Sequence, residues 1–205
     1  MLISLALGVF VGAVLGLTGA GGGILAVPAL VVGLGWSLQQ AAPVALIAVA
    51  GGAAVGAAEG FRRKLVRYKA ALLMTVGGMS VTSLGIRMAH ALPQRALLAL
   101  FAAVMLLVAR RLFLQTRNAA NGPVDDALRM GQIDPSSGRF VWSWRTAALL
   151  GFIGALTGFM TGLLGVGGGF VIVPMLRRFT NMSMHAIVAT SLMVIALVGF
   201  GGVVA

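Results

Sequence analysis

The sequence predicts an all-α integral membrane protein, built as an inverted-topology repeat with broken or re-entrant helices at two glycine-rich motifs. Three observations predict it. The 205 residues are 60% hydrophobic and 9% charged, with a mean hydropathy of +1.04, whereas a soluble domain is about 25% charged. The apolar residues fall into segments that span a bilayer or about half of one, separated by short basic runs. One glycine-rich sequence occurs twice at a constant offset. The composition excludes a soluble enzyme and a disordered chain. With no cysteine, a disulfide scaffold, a thiolate metal site and a cysteine nucleophile are excluded as well.

The N-terminal run lacks a basic n-region and a small-residue cleavage site, so Leu2 to Leu17 reads as a retained membrane segment. The cluster Gly19-Ala20-Gly21-Gly22-Gly23 interrupts it, and a short second segment follows, Ile24 to Leu34. The third is Ala41 to Ala58, the fourth Ala70 to Ala89 and the fifth Ala96 to Leu114. The polar stretch Gln115 to Ser143 holds three of the four acids and two turn-forming clusters, which marks a long loop. The sixth segment, Thr146 to Leu164, ends in Gly165-Val166-Gly167-Gly168-Gly169. A short seventh runs Phe170 to Leu176, and the eighth is Ala186 to Ala205.

The two glycine motifs belong to one repeat. Gly16 to Leu30 aligns with Gly162 to Leu176 at an offset of 146, with nine of fifteen positions identical. The same register pairs Gly8 with Gly154, Gly12 with Gly158, Ser37 with Ser183 and Leu46 with Leu192. The expected organisation is a first transmembrane repeat over 1–114, a cytoplasmic linker loop over 115–143 and a second repeat over 144–205. Counterparts of the fourth and fifth segments would lie beyond Ala205, so the second repeat is expected to be incomplete.

Orientation follows from the basic residues. The net charge of +11 sits in short runs between apolar stretches rather than on one face, which excludes nucleic acid as a partner and identifies cytoplasmic loops. The runs are Arg62 to Lys69, then Arg110 to Arg145, then Arg177-Arg178, while Trp36 to Gln40 carries no charge and is expected outside. The loop from Arg87 to Arg95 then lies outside with two arginines, against the bias. The loop after the first motif is outside and its equivalent after the second is inside, so the halves are inverted, with a site expected at mid-membrane between them.

Each glycine cluster precedes a stretch too short to span the membrane. Ile24 to Leu34 would be roughly 16 Å as helix. Non-helical backbone at that depth is tolerated only in protein or against a cavity. Glycines let the chain turn tightly and expose N–H groups, and each short helix aims its positive end at the same place. Two such ends make an anion site without a cationic side chain. The expected substrate contacts are Gly21, Gly22, Gly23, Gly167, Gly168 and Gly169, with Pro28 and Pro174 early in the short helices. Thr18, Thr190 and Ser191 supply hydroxyls, and Thr161 is a further nearby donor. The spacing of Gly8, Gly12 and Gly16, and of Gly154, Gly158 and Gly162, suits close helix packing instead. Asn181 and His185 are expected to be solvated, and Glu59 is expected in a loop-edge ion pair with Arg62 and Arg63.

No enzyme, metal or cofactor constellation is present: HExxH is absent, and the glycine clusters complete neither GxGxxG nor a Walker motif. Proton- and sodium-coupled carriers usually need buried carboxylates, and Glu59 is a poor candidate. An inside-negative potential drives an anion outward by about 2.3 kcal/mol per charge per 100 mV, which suffices for uncoupled efflux.

Taken with Ala189-Thr190-Ser191-Leu192 after the second copy, the paired motifs resemble the TauE/SafE family. Its members are inner-membrane permeases of bacteria and archaea, found also in plants and linked to export of sulfite and organosulfonates. The resemblance implies a multi-pass protein of the cell inner membrane that exports a small sulfur-containing anion. Members typically run further, so by this pattern the chain is C-terminally short. An anion channel would share the architecture but show unsaturable flux, and a non-transporting membrane scaffold would show none.

Overall fold

The computed structural model describes Val9, residues 22–118 and residues 143–204. The first segment, apart from Val9, most of the polar stretch, and Gly19 to Gly21 lie outside the described residues. Seven helices are bounded among the described residues, in order: α1 Gly22–Leu34, α2 Leu38–Arg62, α3 Tyr68–Ala91, α4 Gln94–Asn118, α5 Trp144–Leu164, α6 Gly169–Phe179 and α7 Met184–Val204. Among the described residues, α2, α3, α5 and α7 are long and apolar enough to cross a membrane. The fifth segment, Ala96 to Leu114, falls inside α4, with Arg95 before it, Arg110 and Arg111 near its end and Arg117 after it. The short second and seventh segments are helices of 13 and 11 residues.

The caps repeat at the offset read from the sequence. Ser37 closes a capping box at the start of α2: Gln40 N–H donates to its Oγ (3.3 Å) and Ala41 N–H to its carbonyl (2.9 Å). Ser183 caps α7 without the reciprocal half of the box, its Oγ accepting from Ala186 N–H (3.4 Å) and its carbonyl from Ile187 N–H (3.0 Å). Each of these two bonds therefore has its equivalent 146 residues on.

Two helix pairs make the frame. The parallel pair α3 and α5 meets backbone to backbone: a Cβ at Gly154, Gly158 or Gly162 would overlap the carbonyls of Met74, Gly78 and Thr82 respectively. Each set advances by one turn per contact, which is the close approach that small residues at i, i+4 and i+8 allow. The expectation of packing glycines holds for this set; Gly8, Gly12 and Gly16 lie outside the described residues. The antiparallel pair α2 and α7 meets at Gly60 with Ala189, Gly56 with Leu192, and Gly199 with Ala50. Leu38, Met74, Leu150, Ile153, Ile187 and Ile195 fill the interior, while large apolar residues such as Val32 and Val55 point outward at 85% and 74% exposure, as on helices solvated by lipid.

Candidate functional site

The second glycine motif is a break between two helices. Gly165 ends α5 in the left-handed conformation (φ 69°, ψ 16°), its N–H donating to the Thr161 carbonyl at 2.8 Å. Gly167 and Gly168 also have positive φ, 76° and 63°, a region that side-chain-bearing residues avoid. Gly168 is then the N-cap of α6, with no side chain capping it. Gly169 is the first residue of α6.

Contacts fix the height of the break. A Cβ on Gly165 would strike Ala42, one turn into α2. One on Gly167 would lie 3.0 Å from Val49 Cγ1 and 3.2 Å from Ile195 Cγ2, residues about half-way along α2 and α7. One on Gly168 would overlap the Thr157 methyl and lie 2.9 Å from Thr161 Oγ1. The helix α6 thus begins in the middle of the bundle and runs to the end where Arg177 and Arg178 lie exposed.

The first motif meets the second. A Cβ on Gly23, near the start of α1, would fall on the Val166 carbonyl. From there α1 leads through Gly35 to Ser37 into α2, and α6 leads through Thr180 to Ser183 into α7. Because α2 and α7 are antiparallel, the two short helices begin side by side and lead to opposite ends of the bundle. Pro28 and Pro174 lie in the second turn of their helices rather than the first. There each lacks the N–H that would bond the carbonyl four residues back, of Ile24 or Phe170.

A cavity of about 170 Å³ opens at the end of the bundle where α2 starts, with room for about five waters at roughly 30 Å³ each. Leu38 and Gln39 of α2 and Ala89 and His90 of α3 form its rim, and it reaches Thr161 and Gly165 at the break. The Gln39 amide spans the rim, donating to the Ala89 carbonyl at 3.5 Å.

The other predicted residues sit elsewhere. Thr190, fully buried, accepts the Arg67 N–H at 3.1 Å and so ties the α2–α3 connection to α7. Ser191, also fully buried, donates to the Val188 carbonyl at 2.8 Å. Thr18 and Gly21 lie outside the described residues. Glu59 is ion-paired at the surface with Arg63 (2.7 Å) and Arg62 (3.5 Å), as expected. It is the one acidic side chain among the described residues. Asn181 and His185 are exposed. A residue that sequence reasoning missed is Thr157. Its hydroxyl is buried without a partner among the described residues, a condition shared only with Arg67 Nε.

A family model described as Sulfite exporter TauE/SafE matches residues 4–205. The chain belongs to the TauE/SafE family. It is thereby a membrane transporter and not an enzyme, with several apolar helices to place in the bilayer. It is 29% identical over 196 residues to a Bacillus subtilis (strain 168) protein named "Probable membrane transporter protein YjnA", covering 91% of this chain and 71% of that one. No solved structure matches the chain. Both glycine motifs lie within the TauE/SafE match.

Proposed function

We propose that this TauE/SafE protein exports a small sulfur-containing anion, sulfite or an organosulfonate, across the cell inner membrane. In this reading two inverted repeats, 1–114 and 144–205, are joined by a cytoplasmic loop, 115–143, and the anion is held between their glycine breaks. One observation carries the reading: α1 starts against Val166, in the break just before α6, and the two short helices lead to opposite ends of the bundle. Inverted repeats produce that relation, and paired helix N-termini stabilise an anion without a lysine or arginine beside it. The backbone N–H groups of Gly21 to Gly23 and Gly167 to Gly169 supply the donors, with Thr18 beside the first set. Pro28 and Pro174 free a carbonyl in each short helix and set its bend. Thr190 and Ser191 serve the site indirectly, by holding α7 in place.

The cavity that reaches Gly165 from one end of the bundle supports alternating access. Glu59, the acid on hand, is on the surface and engaged by two arginines. A potential-driven, uncoupled mechanism needs no carboxylate, and 100 mV supplies about 2.3 kcal/mol per charge.

The test is sulfite efflux from proteoliposomes holding this chain, under an imposed potential, with sulfate, chloride and small sulfonates as competitors. Saturable, potential-dependent efflux inhibited by sulfonates is expected. Flux that does not saturate would make the protein a channel, strict proton dependence would remove the uncoupled mechanism, and no flux would remove the export reading.

A further inference from the structure

Eight threonine and serine side chains are buried among the described residues: Thr75, Thr82, Thr146, Thr157, Thr161, Thr180, Thr190 and Ser191. Seven are engaged. Thr75, Thr82, Thr161 and Thr180 each donate to the carbonyl four residues back at 2.6–2.8 Å. Ser191 donates to Val188, Thr190 accepts from Arg67, and Thr146 has a partner. Back-bonding of this kind is the ordinary fate of a hydroxyl on an apolar helix. Thr157 departs from it. Thr157 has 0% exposure, yet its Oγ1 has no hydrogen-bond partner among the described residues.

The position of Thr157 gives that exception a meaning. Its methyl group and Thr161 Oγ1 both press on Gly168, the uncapped N-cap of α6. The first bonds of α6 run from Val171 and Ile172 N–H to the Gly168 carbonyl, so the N–H groups of Gly169 and Phe170 precede the first bond of the helix. Thr161 has already given its hydrogen to the Thr157 carbonyl at 2.8 Å. The Thr157 hydrogen is uncommitted. Side chains move between staggered wells, and one step of rotation about the Cα–Cβ bond would carry the hydroxyl into the place of the methyl group that now faces Gly168. A buried hydroxyl without a partner is unfavourable, and an anion oxygen at the start of α6 would relieve it.

We infer that Thr157 is a substrate-binding residue: its hydroxyl donates a hydrogen bond to one oxygen of a small oxyanion seated at the N-terminus of α6. The inference rests on the reading of the glycine breaks as the anion site and assigns that site its neutral donor. The repeat makes the donor one-sided, because the equivalent of Thr157 at the offset of 146 is Val11. The two halves would then hold the anion by unlike means, through a hydroxyl and helix end on the α6 side.

The test compares wild-type chain, Thr157→Val and Thr157→Ser in proteoliposomes, with sulfite and methanesulfonate as the anions. Val keeps the shape and removes the hydroxyl. The KM of Thr157→Val should rise roughly tenfold to a hundredfold, the worth of a hydrogen bond to a charged group, and Thr157→Ser should restore most of the loss. Thermal unfolding without anion separates binding from structure: Thr157→Val should be at least as stable as wild type, because an unpartnered hydroxyl contributes nothing to fold stability. An unchanged KM in Thr157→Val overturns the inference and leaves the carrier reading standing. A Thr157→Val chain that fails to fold also overturns it, by showing that the hydroxyl supports the structure. Absence of saturable flux in the wild type removes the carrier reading and the inference together.

Discussion

Gly158→Ala tests the seam between α3 and α5. The added methyl group would fall on the Gly78 carbonyl, with Gly78 Cα and carbonyl carbon also in the way. None of these is a side chain that can turn aside, so the two helices must part. Overpacking of this kind costs about 1–3 kcal/mol. Replacing glycine by alanine in a helix returns roughly 0.5–1 kcal/mol, leaving a net loss of up to about 2.5 kcal/mol. Gly151, two turns earlier on the same helix, is the control, because its added Cβ meets nothing within 4 Å. Gly151→Ala should therefore gain about 0.5–1 kcal/mol. Thermal unfolding of the purified protein in one detergent reads both variants against wild type. The expected order is Gly151→Ala, wild type, Gly158→Ala, with a spread of roughly 1–3 kcal/mol between the extremes. Equal shifts in the two variants would refute backbone contact as the basis of the pairing.

Three further outcomes are expected. Gly167→Ala and Gly168→Ala force a side chain into positive φ (76° and 63°), which costs of order 1–3 kcal/mol each; both should unfold at lower temperature and lose anion flux. Ser37→Ala and Ser183→Ala each remove a helix cap worth about 1 kcal/mol. Since these caps lie at opposite ends of the bundle, the double variant should show the sum of the two losses in the same unfolding assay. Glu59→Gln breaks a surface ion pair whose members are half or more exposed. It should move stability by less than about 1 kcal/mol and leave the pH profile of efflux unchanged; a shifted profile would make Glu59 a proton carrier.

The spanning apolar segments are legible because they are long and bounded by glycine, proline or charge, and the two short ones because each follows a glycine cluster. Boundaries differ by a few residues, in one case through a cap: α2 starts at Leu38 rather than Ala41 because Ser37 and Gln40 close a capping box. The offset of 146 was legible too, and Leu38 and Met184, the first residues of α2 and α7, stand at it. What periodicity could not supply is which helices touch. Gly154, Gly158 and Gly162 announced a close neighbour, but nothing in the sequence named Met74, Gly78 and Thr82 as its backbone. Thr157 was passed over for the same reason. In the sequence it differs in no way from Thr161, and only the packed structure shows that Thr161 bonds back to its own helix while Thr157 does not. Nor does the sequence show that the Thr190 hydroxyl accepts the N–H of Arg67, 123 residues away.

The seam between α3 and α5 also sets a schedule for synthesis. During translation α3 leaves the ribosome well before its partner exists, because α4 and the polar stretch are made in between. Through that interval the face bearing Gly77, Gly78 and Gly85 has only lipid or the insertion machinery beside it. Lipid chains cannot fill a groove shaped for another backbone as closely as α5 does. The nascent first half is therefore an unfinished surface, and completion of the bundle waits on the arrival of the second half.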